Sequence, residues 1–180
     1  MARLKERYQS EIIPKLKERF SIENPHAVPT LQKVVVSMGI GKAIENKSRL
    51  DEGVAHLTAV TGQKAVITKA KRSVSGFKLR EGNPIGAMVT LRRDRMYEFV
   101  DRLIAVTIPR IRDFRGLNPK AFDGRGNYNL GLVDQTVFVE IDVDRLEFYQ
   151  GMSVTFVTSA PDDEQAEFLL RSLGMPFRDQ

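Results

Sequence analysis

Three stretches between Leu31 and Arg92 constrain this chain more than any other feature: LQKVVVSMGIG (31–41), QKAVITKA (63–70) and IGAMVTLR (85–92). Each is rich in β-branched residues and alternates apolar with polar side chains, the two-residue period of a strand with one buried face. Between the first two, KSRLDEGVAHLTAVTG (47–62) repeats Leu50, Val54, Leu57 and Val60 at helical spacing and stops at Gly62. Between the second and third lies only a basic loop, KRSVSGFKLREGN. Crossover helices and adjacent strands are therefore mixed, which calls for a sheet with helices mainly on one face, an α+β fold. The other face of that sheet is then left uncovered.

The flanks extend the pattern. Residues 3–20 carry Leu4, Tyr8, Ile12 and Leu16 at four-residue spacing, with Pro14 set to kink or split the helix. SIENPHAVPT is a proline-bearing connector. Residues 94–108 form a strong helix, with Asp94 as its cap and Pro109 as its end. QTVFVEIDVD (135–144) and MSVTFVTSA (152–160) return to strand alternation. PDDEQAEFLLRSLGMP (161–176) closes as a helix with Pro161 and acids in its first turn and Gly174 beyond its end. At 180 residues and 42% hydrophobic content, the chain suits one core and one domain, 1–180.

Charge is unevenly spread. Residues 1–130 hold 25 Lys and Arg against 13 Asp and Glu, a balance of +12, and residues 131–180 hold 3 against 10, a balance of −7. A basic body points to a polyanion, of which nucleic acid is the commonest in the cytosol. The acidic part must face solvent or a basic partner. The first twenty residues have no apolar h-region and mix both charge signs, unlike a signal or transit peptide. With no cysteine and no long apolar run, a cytoplasmic protein with no membrane contact is expected.

The enzyme readings are weak. GIGK (39–42) is similar to a phosphate-binding glycine loop, but Val36 and Ala43 occupy positions that need Gly and a hydroxyl. It reads as a strand-end turn. His26 and His56 have no companion ligands. SVSGF is a turn, not a nucleophile elbow. Asp142 and Asp144 could hold a metal ion on one strand face, as in a metal-dependent nuclease, or simply form its solvated side.

The basic segments read better. Residues 64–95 balance at +7, and strand alternation puts Lys64, Val66 and Thr68 on one face. A sheet face of lysine, glutamine, serine and threonine suits the shallow minor groove of A-form RNA. The loop 71–83 is a basic finger with Phe77 at its tip, able to stack on a base. PRIRDFRGLNPKAFDGRGNYNLG (109–131) offers Arg110, Arg112, Arg115 and Arg125 as planar forks for phosphate, with little to bury. A free-standing RNA chaperone is an alternative binding function.

VSMGIG, TGQKAVITKAKRSVSGFKLREGNPIG, VTLRRDRMYEF, IPRIRDFRGL and FDGRGNYNLG together resemble the bacterial large-subunit ribosomal protein number five family, over about residues 4–177. The resemblance implies a non-enzymatic constituent of the large subunit, without cofactor or metal. It implies an antiparallel sheet with helices on a convex side and a concave face open for RNA. It further implies that the protein sits as a single copy in the ribosome's central protuberance. There it would bind 5S rRNA, help attach it to 23S rRNA, touch peptidyl-site tRNA and bridge to small-subunit protein thirteen.

Carried onto this chain, the 5S contact resembles Ser37, Gln63 and Thr90, supported by Lys33, Lys64 and Arg92. Ser37 stands where most bacterial members have asparagine, keeping a donor and an acceptor on a shorter reach. The tRNA-facing loop is Lys71, Arg72, Ser73, Ser75, Gly76, Phe77, Lys78 and Arg80. Arg110, Arg112, Arg115 and Arg125 belong to an rRNA or bridge loop. Asp134, Glu140, Asp142, Asp144 and Glu147 would meet the basic small-subunit protein.

Overall fold

The computed structural model describes residues 2–178, and the fold is α+β. Strands β1 (Leu31–Gly39), β2 (Val66–Lys69), β3 (Pro84–Leu91), β4 (Tyr128–Leu132) and β5 (Met152–Thr158) form one open sheet in the order β2-β3-β1-β5-β4. β2 and β3 are antiparallel, with Val66 opposite Met88 and Thr68 opposite Gly86. The Ile40 N–H donates to the Ile85 carbonyl, and the Ser159 N–H to that of Thr30. Each joins the end of one strand to the start of the next, as antiparallel neighbours do. Helices α1 (Arg3–Arg7), α2 (Ile13–Phe20), α3 (Ser48–Thr61), α4 (Arg93–Arg102) and α5 (Asp163–Leu173) accompany the sheet.

The chain divides into two compact units, the first Met1–Val34, Leu91–Leu130 and Thr155–Gln180, the second Val35–Thr90 and Gly131–Val154. In the first, α1 packs on α4 and α2 on α5. Pro14 does not split its helix. A π turn, Tyr8–Ile12, precedes it, and the Ile13 N–H reaches back to the Tyr8 carbonyl. The same device recurs at Leu103–Thr107, where the Ile108 N–H reaches Leu103 just before Pro109. A wide turn makes room for a ring that would otherwise strike the preceding turn's carbonyl. Pro109 therefore does not end its helix, which runs on as a 3-10 turn, Ile108–Arg110.

Asp94 does not cap α4 either. No side chain does, and the Asp94 carboxylate instead lies 2.7 Å from Lys5 Nζ. That pairing holds its pKa below the usual carboxylate value. α5 is capped by Asp162, which accepts the Gln165 N–H at 2.9 Å, and ends at Gly174 with φ +105°.

The segment 109–131 holds more core than its composition promises. Leu117, Tyr128 and Leu130 are buried, and Tyr128–Leu132 is a strand. Tyr128 sits in an aromatic cluster with Phe122, Phe156 and Phe177, ring centroids 4.8, 6.3 and 5.2 Å away. Burial pushes its phenol pKa up to about 12.

In the second unit, α3 backs onto β1. A Cβ on Gly53 would stand 2.4 Å from Ile40 Cδ1 and 3.7 Å from Met38 Sδ. Residues 135–144 are not a strand. The Asp134 carboxylate turns back to the Thr136 N–H and that of Asp142 to the Asp144 N–H, curling the backbone into short 3-10 turns. Gln135, fully buried, holds this region together. Its Nε2 donates to the Phe148 carbonyl at 2.6 Å and its Oε1 accepts the Gln150 N–H at 2.6 Å.

Candidate nucleic-acid interface

Strand alternation decides which side chains the sheet leaves free. Along β1, Val34, Val36 and Met38 are buried, whereas Lys33, Val35 and Ser37 are half-buried. Along β3, Ala87, Val89 and Leu91 are buried while Met88 and Thr90 are not. Since α3 backs the Met38 side, Ser37 lies on the side that this helix does not cover.

In the second unit, Ser37 and Thr90 are thus presented on strands. Gln63 and Lys64 precede β2 and are not part of it. Gly62, at φ +66°, ends α3, after which the Thr61 hydroxyl accepts the Gln63 N–H at 3.4 Å. The Gln63 side chain then donates from Nε2 to the Thr90 carbonyl at 3.3 Å. This fixes Gln63 beside Thr90 and leaves its Oε1 with no protein donor among the described residues. Lys64 is exposed.

On β1, β4 and β5 of the same unit, a trough of about 250 Å³ is lined by Ser37, Gly39, Gly131, Gly151 and Ser153 with Leu132 and Met152. A Cβ on Gly39 or Gly131 would meet nothing within 4 Å. These glycines leave bare backbone between two hydroxyls.

In the first unit, Lys33 is half-buried and Arg92 exposed. Here the Thr155 hydroxyl donates to Asn129 Oδ1 at 3.0 Å. Asn129 escaped the sequence reading because the glycines around it suggested a loop. The alternation Tyr128-Asn129-Leu130-Gly131-Leu132 carried the signal.

The loop 71–83 is a closed hairpin. Val74 and Leu79 exchange both backbone hydrogen bonds, at 2.9 and 3.1 Å, and the Ser73 hydroxyl accepts the Glu81 N–H at 2.9 Å. Lys71, Arg72, Ser73, Ser75, Gly76, Lys78 and Arg80 are all exposed, and Phe77 is 76% exposed on a 3-10 turn, Ser75–Phe77. In the first unit Arg110, Arg112, Arg115 and Arg125 are exposed as well.

The acidic residues fall in both units. Asp134, Glu140, Asp142, Asp144 and Glu147 belong to the second unit, with all but Asp134 exposed. Asp162, Asp163 and Glu167 belong to the first, where they bond within α5 and its neighbouring loop. Asp142 and Asp144 share no strand face. The Asp142 carboxylate already accepts the Asp144 N–H and lies 3.3 Å from Arg145, which removes the paired-aspartate geometry that a nuclease reading needs. Among the described residues, no helix is long and apolar enough to cross a membrane.

The family model for ribosomal protein L5 matches residues 24–80, and the model for the C-terminus of the same ribosomal family matches residues 84–177. The chain is 56% identical over 178 residues to the large ribosomal subunit protein uL5 of Geobacter sulfurreducens, covering 99% of each chain. It is 54% identical to that of Rubrobacter xylanophilus and 56% to that of Heliobacterium modesticaldum, again over 99% of each.

A chain with these relatives is a non-enzymatic structural constituent of the large ribosomal subunit, an rRNA-binding protein of the cytoplasmic ribosome. It belongs to the ribosomal protein L5 family.

Proposed function

We propose that the chain anchors 5S rRNA in the large subunit through its uncovered sheet face. Ser37, Gln63 and Thr90 act as the reading groups, with Lys33, Lys64 and Arg92 as flanking cations. The observation that carries this reading is the pose of Gln63. Its amide nitrogen is committed to the Thr90 carbonyl at 3.3 Å, which ties the side chain to β3 and leaves the amide oxygen without a protein donor among the described residues. Short hydroxyls and one fixed amide match the 2′-hydroxyls of an A-form minor groove, and the glycine-lined trough at Ser37 allows close approach of a ribose.

The remaining contacts follow the same chemistry. The 71–83 hairpin, with its exposed cations and Phe77, reaches peptidyl-site tRNA. The arginines of 109–131 take rRNA phosphates or lie at the subunit bridge, and the chain helps attach the 5S particle to 23S rRNA. Asp134, Glu140, Asp142, Asp144 and Glu147 face basic small-subunit protein thirteen. The whole chain acts as one 5S-binding domain and sits as a monomer in the ribosome.

The test is a salt titration of binding to 5S rRNA beside an unrelated duplex of equal length. Roughly five to eight phosphate contacts give a slope of log affinity on log salt near −4 to −7. A preference for 5S rRNA that persists at high salt and weakens in Thr90→Ala supports the sheet face as reader. Equal affinity for both RNAs, with equal slopes, favours the general RNA chaperone.

A further inference from the structure

In the loop Asp123-Gly124-Arg125-Gly126-Asn127, four successive backbone N–H groups point inward to two carboxylates. Asp163, the first residue of α5, takes Gly124 on Oδ2 at 3.0 Å and Gly126 on Oδ1 at 2.8 Å. Asp123 Oδ1 takes Arg125 at 2.9 Å and Asn127 at 3.1 Å, and its Oδ2 takes the Asn127 side chain at 2.7 Å. These bonds hold the Asp123 pKa below the ordinary carboxylate value, the Asn127 side chain contributing most. Successive N–H groups in a glycine-rich turn ordinarily cradle an external anion. Here the protein fills that cradle itself, and the backbone is closed to phosphate.

The side chain that remains outward is Arg125, exposed and without an ion-pair partner among the described residues. Gly124 and Gly126 have φ of +80° and +74°. A Cβ on Gly126 would stand 2.8 Å from the Ala160 carbonyl, so the loop has little room to adopt another shape.

We infer that Arg125 is a preformed contact for an rRNA phosphate and that Asp163 is its positioning residue. Asp163 therefore supports RNA binding although it carries the RNA's own sign of charge. This deepens the reading above and rests on rRNA being the partner. It concerns a contact to phosphate, which carries no sequence information.

The opposing sign makes the test decisive. Long-range electrostatics alone predicts that Asp163→Ala strengthens RNA binding. Positioning predicts that it weakens binding to 5S rRNA and to an unrelated duplex alike, by roughly twofold to fivefold, the range of one exposed ionic contact. Arg125→Ala should do the same and lower the salt slope by about 0.7–0.9 on both RNAs. In the Arg125→Ala background, Asp163→Ala should cost nothing more. Amide exchange at Gly124 and Gly126 should quicken in Asp163→Ala while the rest of the first unit stays protected.

Unchanged or higher affinity in a folded Asp163→Ala variant would overturn the positioning role. An unchanged slope in Arg125→Ala would overturn the phosphate contact, and Arg125, being exposed, can be replaced without disturbing the fold. The sheet-face reading is scored separately, because it concerns preference for 5S rRNA over the duplex.

Discussion

Gln63 and Thr90 are joined side chain to main chain at 3.3 Å, across the gap between the end of α3 and strand β3. The Gln63→Ala variant keeps the Gly62 turn and loses only the amide. It should lower affinity for 5S rRNA by about 1 kcal/mol, roughly fivefold, while leaving an unrelated duplex unaffected. Filter binding with the two RNAs side by side checks this, and an equal loss on both would remove Gln63 from the reading set.

Gly86 lies where strands crowd. A Cβ there would stand 2.6 Å from the Met38 carbonyl and 2.8 Å from Thr68 Oγ1. The first neighbour is backbone and cannot swing aside. Gly86→Ala should destabilise the fold by about 1–3 kcal/mol, read as a shifted midpoint in urea.

Gln135 is a buried double tie to Phe148 and Gln150. Gln135→Ala leaves a carbonyl and an N–H without partners, at a cost of about 1–3 kcal/mol each at most. Hydrogen exchange at Gln150 should accelerate strongly. Because this tie shapes the acidic segment, the variant should also weaken joining of the two ribosomal subunits. Reversal of charge at Asp142 and Asp144 should weaken joining as well while sparing 5S binding, as light-scattering of subunit association can show.

Tyr128 gives the fold a limit on the alkaline side. Its pKa is raised by burial from an ordinary value near 10 to about 12. The folded state therefore keeps a proton that the unfolded chain releases. Its contribution is intact below pH 10 and is lost as pH climbs towards 12. Urea unfolding at pH 8, 10 and 11 should show stability falling across that window. Tyr128→Phe should lessen the fall, with Tyr8 and Tyr97, whose phenol pKa values burial also raises, contributing part of the rest.

Much of this was legible in the sequence because local pattern and tertiary burial agree. β1, α3 with its Gly62 stop, and α5 with Gly174 all follow from periodicity and end signals. Residues 135–144 misled because their valines and isoleucine alternate on paper, whereas Asp134 and Asp142 bond to the backbone two residues on and bend it first. β4 was hidden by the opposite error. Glycines on either side of Tyr128 suggest a loop, yet the aromatic cluster around that ring draws the chain into the sheet. Counting in twos does put Ser37 and Thr90 at half-buried positions of β1 and β3. The tie from Gln63 and the carboxylate behind Arg125 join residues 27 and 37 or more positions apart, which no local pattern encodes.

The two π turns set a rule for changes in chain length. Each contributes one residue beyond the ordinary helical repeat, immediately ahead of Pro14 or Pro109. Deleting a residue inside an ordinary helix rotates everything after it by about 100°. Deletion within Tyr8–Ile12 or Leu103–Thr107 would instead remove the extra residue and keep the register after it, but it would drive the proline ring into the tightened turn before it. In these two helices, residue number is therefore locked by a proline, and sequence drift there should proceed by substitution alone.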